Sequence, residues 1–151
     1  MQPKQFSVLA VDDSENDCLL LQRAFSTLEH LDLTHCVKDG SEALAYLSGS
    51  GEYADRDKYP FPDLMMLDIK MPVMNGFELL KWMKHQCWGK KPVVVLLTSS
   101  AMSEDINEGS ELGADLYRIK PVTRDGLAKM MREIEKFVLQ VRGGSPAAQN
   151  V

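Results

Sequence analysis

Residues 92–100 read Pro92-Val93-Val94-Val95-Leu96-Leu97-Thr98-Ser99-Ser100. The run after the proline is unbroken and apolar, and it starts with three valines. It shows no polar alternation, so it is not a strand with one wet face. Its length and β-branched content read as a strand buried on both faces, the kind found in parallel sheets. Phe6-Ser7-Val8-Leu9-Ala10-Val11 and Asp63-Leu64-Met65-Met66-Leu67 read the same way. Leu33-Thr34-His35-Cys36-Val37 alternates, and Asp115-Leu116-Tyr117-Arg118-Ile119 supplies a fifth strand.

Helical patterns fill the intervals. Ser14 stands where a cap is needed, and Leu19, Leu20, Leu21, Ala24, Phe25 and Leu28 carry the first helix. Gly40-Ser41 opens a second helix through Ala43, Leu44 and Leu47, stopped by Gly49-Ser50-Gly51. Pro72 and Asn75-Gly76 mark a turn before a third helix with Phe77, Leu80, Met83 and Cys87 on one face. A polar fourth helix runs from Ser103 to Leu112, ended by Gly113. The last places Leu127, Met130, Met131, Ile134, Phe137, Val138 and Val141 at the spacing of an apolar stripe. Gly143-Gly144-Ser145-Pro146 ends it, giving one domain over 1–142 and a disordered tail over 143–151. Gly51 to Pro62 is long for its place and reads as an inserted, candidate functional loop. Five strands alternating with five helices predict an α/β fold with a parallel sheet and helices on both faces.

Composition narrows the function. The chain has 151 residues, 17 basic and 22 acidic, for a net charge of −5, and 44% are hydrophobic. No apolar run approaches the roughly 20 residues of a membrane helix. No signal-peptide layout opens the chain. The acidic balance argues against bulk nucleic-acid binding. Cys18, Cys36 and Cys87 follow no metal or disulfide spacing and read as buried thiols of a reducing, cytoplasmic compartment.

Four of the five strands end in a residue capable of chemistry: Asp12-Asp13, Asp68, Thr98 and Lys120. In an open parallel sheet these ends share one edge, where ligands bind. Each residue alone has a plainer explanation. Asp12 or Asp13 resembles a helix cap, Thr98 a strand-end cap, and Lys120 a solvated lysine. Together at one edge they are harder to dismiss. Asp68 also sits among Met65, Met66, Leu67, Ile69 and Met71, where an unpaired charge is costly. Crowded carboxylates invite a hard divalent cation, and an all-oxygen site suits Mg²⁺. A cation, an ammonium and a hydroxyl facing one carboxylate form a clamp for a phosphoryl group.

These signatures resemble the response-regulator receiver domains of two-component signalling. They are Val11-Asp12-Asp13, Asp68-Ile69-Lys70-Met71-Pro72-Val73-Met74-Asn75-Gly76, Leu97-Thr98-Ser99-Ser100 and Lys120-Pro121. The resemblance spans Phe6 to Val141. The insertion before the third strand, the Thr-Ser-Ser run and Lys120-Pro121-Val122 are most similar to phytochrome-associated regulators. The resemblance implies a flavodoxin-like (βα)5 three-layer sandwich with strand order 2-1-3-4-5. It implies Asp68 as phosphoacceptor, and Asp12, Asp13, Asp68 and the Lys70 carbonyl as Mg²⁺ ligands. Thr98 would be the switch hydroxyl, Tyr117 the switch aromatic, and Lys120 the phosphate partner. The Lys120-Pro121 bond is expected to be cis. Ser99 is small enough to let water reach an acyl phosphate, and Lys70 is placed to tune that access.

The function so implied is that of a stand-alone phosphoacceptor signalling protein, not a turnover enzyme. A sensor histidine kinase, such as a phytochrome, or a histidine phosphotransfer protein would supply the phosphoryl group. The fourth helix, fifth strand and fifth helix would then signal to a partner protein or pair two copies. Cys18, Leu19 and Gln22 are candidates for the kinase contact. The competing reading is a Mg²⁺-dependent, aspartate-nucleophile phosphatase of the haloacid dehalogenase type. That chemistry needs a second aspartate two residues past the nucleophile, where this chain has Lys70. A nucleotide-binding domain lacks its glycine-rich loop here. An inert adaptor leaves the polar strand ends unexplained.

Overall fold

The structure, a computed structural model, describes residues 6–99 and 102–143. Five parallel strands alternate with five helices. They are β1 (Phe6–Val11), α1 (Glu15–Ser26), β2 (Leu31–Val37), α2 (Gly40–Ser48), β3 (Leu64–Leu67), α3 (Gly76–Lys84), β4 (Val93–Thr98), α4 (Ser103–Glu111), β5 (Leu116–Ile119) and α5 (Arg124–Val138). The sheet order is β2-β1-β3-β4-β5, as expected. The anticipated tail falls almost wholly outside the described residues, as do Ser100 and Ala101.

Successive strand residues face opposite sides of the sheet, so the buried strands feed two cores. Val8, Ala10, Met66, Val95 and Leu97 pack with Leu21 and Phe25 of α1 and with Met131 and Ile134 of α5. Leu9, Val11, Met65, Leu67, Val94 and Leu96 pack with Ala43 and Leu47 of α2 and with Leu79 and Leu80 of α3. Every residue of β3 and β4 is buried, which is why neither strand alternates. α1 departs from its sequence reading, because Leu19 and Leu20 face solvent while Leu21 and Phe25 hold the core. α3 ends at Lys84, so Cys87 lies beyond it and is exposed.

The cysteine reading needs a larger correction. Cys18 and Cys36 form a disulfide, with Cα atoms 6.5 Å apart at a sequence separation of 18. Cys36 pairs in register with Ala10 on β1, and α1 packs back over β2. Sequence spacing carries no sign of that approach. Protein purified without reductant should therefore accept one maleimide, at Cys87, and three after denaturation and reduction, as counted by intact mass. The Lys120-Pro121 bond is also not cis, since no described peptide bond is. The trans form is intrinsically favoured before proline by about 0.5–1 kcal/mol.

The inserted loop is firmly tied down. It begins with a short 3₁₀ turn, Gly51–Ala54. Arg56 donates to the carbonyls of Tyr46 (2.8 Å) and Leu47 (3.0 Å), at the C-terminal end of α2 where a cation is favoured, and to the Tyr59 carbonyl (3.2 Å) within the loop. The Tyr46 hydroxyl donates to the Pro60 carbonyl at 2.9 Å. Tyr46, Tyr53 and Tyr59 also pack around the His35 ring. The loop leads into the N-terminal end of β3, the edge opposite Asp68. Tyr53, Tyr59 and Phe61 pack it against the α2 side of the core.

Gly76 is required by close approach. A Cβ there would lie 2.4 Å from the Asp68 carbonyl oxygen and 3.0 Å from Ile69 Cα. Both obstacles are backbone, so neither can swing aside. Gly76→Ala should destabilise the fold by ~1–3 kcal/mol in urea unfolding, although alanine is the better helix former. An unchanged or raised stability would contradict this packing.

Candidate phosphoryl-transfer site

Strand pairing builds the site. Val11 and Leu67 are register partners, so the residues that follow them, Asp12 and Asp68, emerge side by side. The Asp12 N–H donates to the Val37 carbonyl and the Asp68 N–H to the Val11 carbonyl, both at 3.0 Å, which extends the ladder to the site. Thr98 pairs with Ile119, and the Lys120 N–H donates to the Thr98 carbonyl at 2.7 Å. Four strand ends thus bring the predicted residues to one edge.

Burial marks the same residues. Among the described residues, the buried polar or charged ones are Asp12 (4% exposed), Asp68 (7%) and Thr98 (0%). Buried charge survives only with partners. The Lys120 ammonium provides them, donating to Asp17 Oδ2 at 2.7 Å, Asp12 Oδ2 at 2.9 Å and Asp68 Oδ2 at 3.1 Å. Burial alone would lower the Lys120 pKa, but its bonds to Asp17 and Asp12 and its attraction to Asp12 and Asp68 raise it instead. The ammonium is permanent. Asp12 behaves differently. Burial raises its pKa above the ordinary aspartate value, against the pull of the Ser14 N–H and Lys120.

Oxygen atoms of Asp12, Asp13 and Asp68 lie within 4.8 Å of one another. The set is all-carboxylate, with no cysteine or histidine, and Asp13 is exposed on the solvent side. Such donors fit a hard divalent cation. Lys70 is exposed, and its N–H donates to Asp68 Oδ1 at 3.4 Å. Ser99 is exposed beside buried Thr98. Tyr117 is half-buried on β5, lining a groove with Ile106, Ser110, Ala114 and Leu116. Of the residues suggested for a kinase contact, Leu19 and Gln22 are exposed, whereas Cys18 is half-buried and bonded to Cys36.

The response regulator receiver domain family matches residues 8–132. The chain belongs to that family. It is 34% identical over 135 residues to Response regulator Rcp1 of Synechocystis sp., covering 88% of each chain. Its fold superposes with a TM-score of 0.78 on the phosphorylated cyanobacterial phytochrome response regulator RcpA, at 32% identity, covering 91% of this chain and 96% of that one. The Mn²⁺-bound form of Rcp1 superposes with a TM-score of 0.75 at 33% identity, covering 89% and 95%. The receiver is thus homologous to the phytochrome response regulators. Among the described residues, no helix is long and apolar enough to cross a membrane.

Sequence reasoning missed Asp17. It reads as an ordinary acidic residue in the first turn of a helix. The one signal was its position five residues past Asp12, in the first turn of the helix that follows the strand end.

The raised Asp12 pKa gives a pH test. In the metal-free fold this carboxyl holds its proton to a higher pH than in the unfolded chain. Its ionised form therefore costs stability at neutral pH, and the cost fades as pH falls through the raised value toward the ordinary one. Asp12→Asn should melt higher than wild type at pH 7 in chelator, with the difference shrinking as pH drops toward 4. A lower-melting variant at pH 7 would contradict the assignment.

Proposed function

We propose that this receiver accepts a phosphoryl group on Asp68 from a phosphohistidine of a sensor kinase or phosphotransfer protein. The supporting observation is the coincidence of the buried polar residues with the ammonium of Lys120 at one sheet edge. An Asp68 carboxylate oxygen attacks phosphorus in line, and the phosphorus–nitrogen bond to the histidine breaks. The acyl phosphate adds negative charge to a site that already holds several carboxylates. Lys120 lies within reach to neutralise it. Thr98, at the end of β4, has the hydroxyl to donate to a phosphoryl oxygen. Movement of Thr98 would alter the space beside Tyr117, and with it the surface of α4, β5 and α5. That surface is the proposed output toward a target protein or a second copy. Exposed Ser99 and Lys70 leave water a path to the acyl phosphate, so the signal is self-limiting.

Mg²⁺ is the proposed cation, held by Asp12, Asp13, Asp68 and the Lys70 carbonyl. When bound it offsets carboxylate repulsion and the charge of the incoming phosphoryl group. The phytochrome named for the relative RcpA favours a phytochrome-type kinase as donor, and a phosphoryl donor of that class favours a cytoplasmic setting. Lys70 stands where an aspartate phosphatase would carry its general acid, which disfavours turnover.

Incubation with acetyl phosphate and Mg²⁺ should load one phosphate per chain, stable to acid and labile to alkali. Asp68→Asn or removal of the cation should reduce uptake at least ~100-fold. Repeated turnover of a phosphoester would instead establish the phosphatase reading. Absence of uptake would favour an inert adaptor.

A further inference from the structure

An ammonium has three protons to donate, and Lys120 has a carboxylate for each. The shortest of these bonds goes to Asp17, at 2.7 Å. Asp17 stands outside the cluster of Asp12, Asp13 and Asp68 whose oxygens lie within 4.8 Å of one another. It is placed by α1, where the Ser14 side chain accepts from its N–H at 3.2 Å. Its side chain is 34% exposed, against 4% for Asp12 and 9% for Asp68. Among the described residues, Asp17 is therefore the one carboxylate partner of Lys120 that reaches well into water.

We infer that Asp17 is a positioning residue that holds Lys120 over the site and biases the site's charge toward cations and against the phosphoryl group. The inference rests on the reading of Asp68 as phosphoacceptor. In the resting site all three Lys120 protons are committed. A phosphoryl oxygen on Asp68 must take one of them. The bond to Asp17 is the cheapest to release, because water can replace the ammonium on an exposed carboxylate but not on a buried one. The released carboxylate keeps its charge close by. It attracts a divalent cation and repels a phosphoryl anion. No covalent bond changes in this exchange. One N–H of the ammonium, its proton still on nitrogen, turns from one acceptor to another.

Opposite signs separate this role from mere support of α1. Asp17→Asn keeps the shape and the capped N–H while deleting the charge. Mg²⁺ would be titrated into wild type and Asp17→Asn by calorimetry, and then beryllofluoride at saturating Mg²⁺. The expected result is Mg²⁺ binding about three- to tenfold weaker and beryllofluoride binding tighter by a similar factor. Asp17→Glu, which restores the charge, should return both toward wild type. If both ligands weaken together, or neither moves, Asp17 is structural and the inference falls alone. Wild type that binds Mg²⁺ but no beryllofluoride overturns the phosphoacceptor reading and the inference with it.

Discussion

One ammonium holds the functional edge of this protein together. Lys120 meets carboxylates from α1 and from the ends of β1 and β3 within 3.1 Å. Without it, Asp12 and Asp68 would be buried charges with no cationic side chain bonded to them, an arrangement that costs several kcal/mol. With it, the site is still negative overall, since one positive charge faces Asp12, Asp13, Asp17 and Asp68. A fold built only for stability would fill such a position with apolar side chains. The residual charge makes the edge receptive to a divalent cation. The permanent ammonium makes it receptive to a phosphoryl group. Neither component alone serves both ends.

The rest of the fold supplies rigid placement for that set. Parallel pairing aligns Val11 with Leu67 and Thr98 with Ile119, so that strand register sets the separation of the reactive groups. The loop after Asp68 is pinned at both ends. The Gly76 N–H donates to the Ile69 carbonyl at 2.9 Å, and the Gly40 N–H donates to the Met74 carbonyl at 3.0 Å. Between them Val73 adopts φ +67°, a left-handed conformation that a β-branched residue rarely takes. Strain of that kind persists only where the surroundings over-determine the backbone. Here the carbonyl of Met74 is held against α2 while Gly76 lies against the backbone of Asp68 and Ile69.

Much of this arrangement is legible in the amino-acid sequence. The apolar runs reveal buried strands, and the polar residues that end four of the five strands mark the candidate site, because an open parallel sheet collects its strand ends. Asp12, Asp13, Asp68, Thr98 and Lys120 all follow from that reasoning. What escapes it depends on how helices pack across the sheet. Asp17 looks like a favourable charge at a helix start, and only the placement of α1 over the strand ends brings it to Lys120. Cys18 and Cys36 look unrelated for the same reason. Leu19 and Leu20 look apolar enough for the core, but a helix on one face of a sheet buries a single stripe. The insertion over 51–62 is legible by its length, but its anchoring by Arg56 and the tyrosines is not, because those contacts span the loop and α2.

The decisive question is which carboxylate carries the phosphoryl group. Borohydride reduction of the acetyl phosphate-treated protein, followed by peptide mapping, locates it directly, because an acyl phosphate is reduced where a free carboxylate is not. The expected result is reduction at Asp68 and at none of Asp12, Asp13 or Asp17. Reduction at any of those three in place of Asp68 would contradict the assignment of the phosphoacceptor.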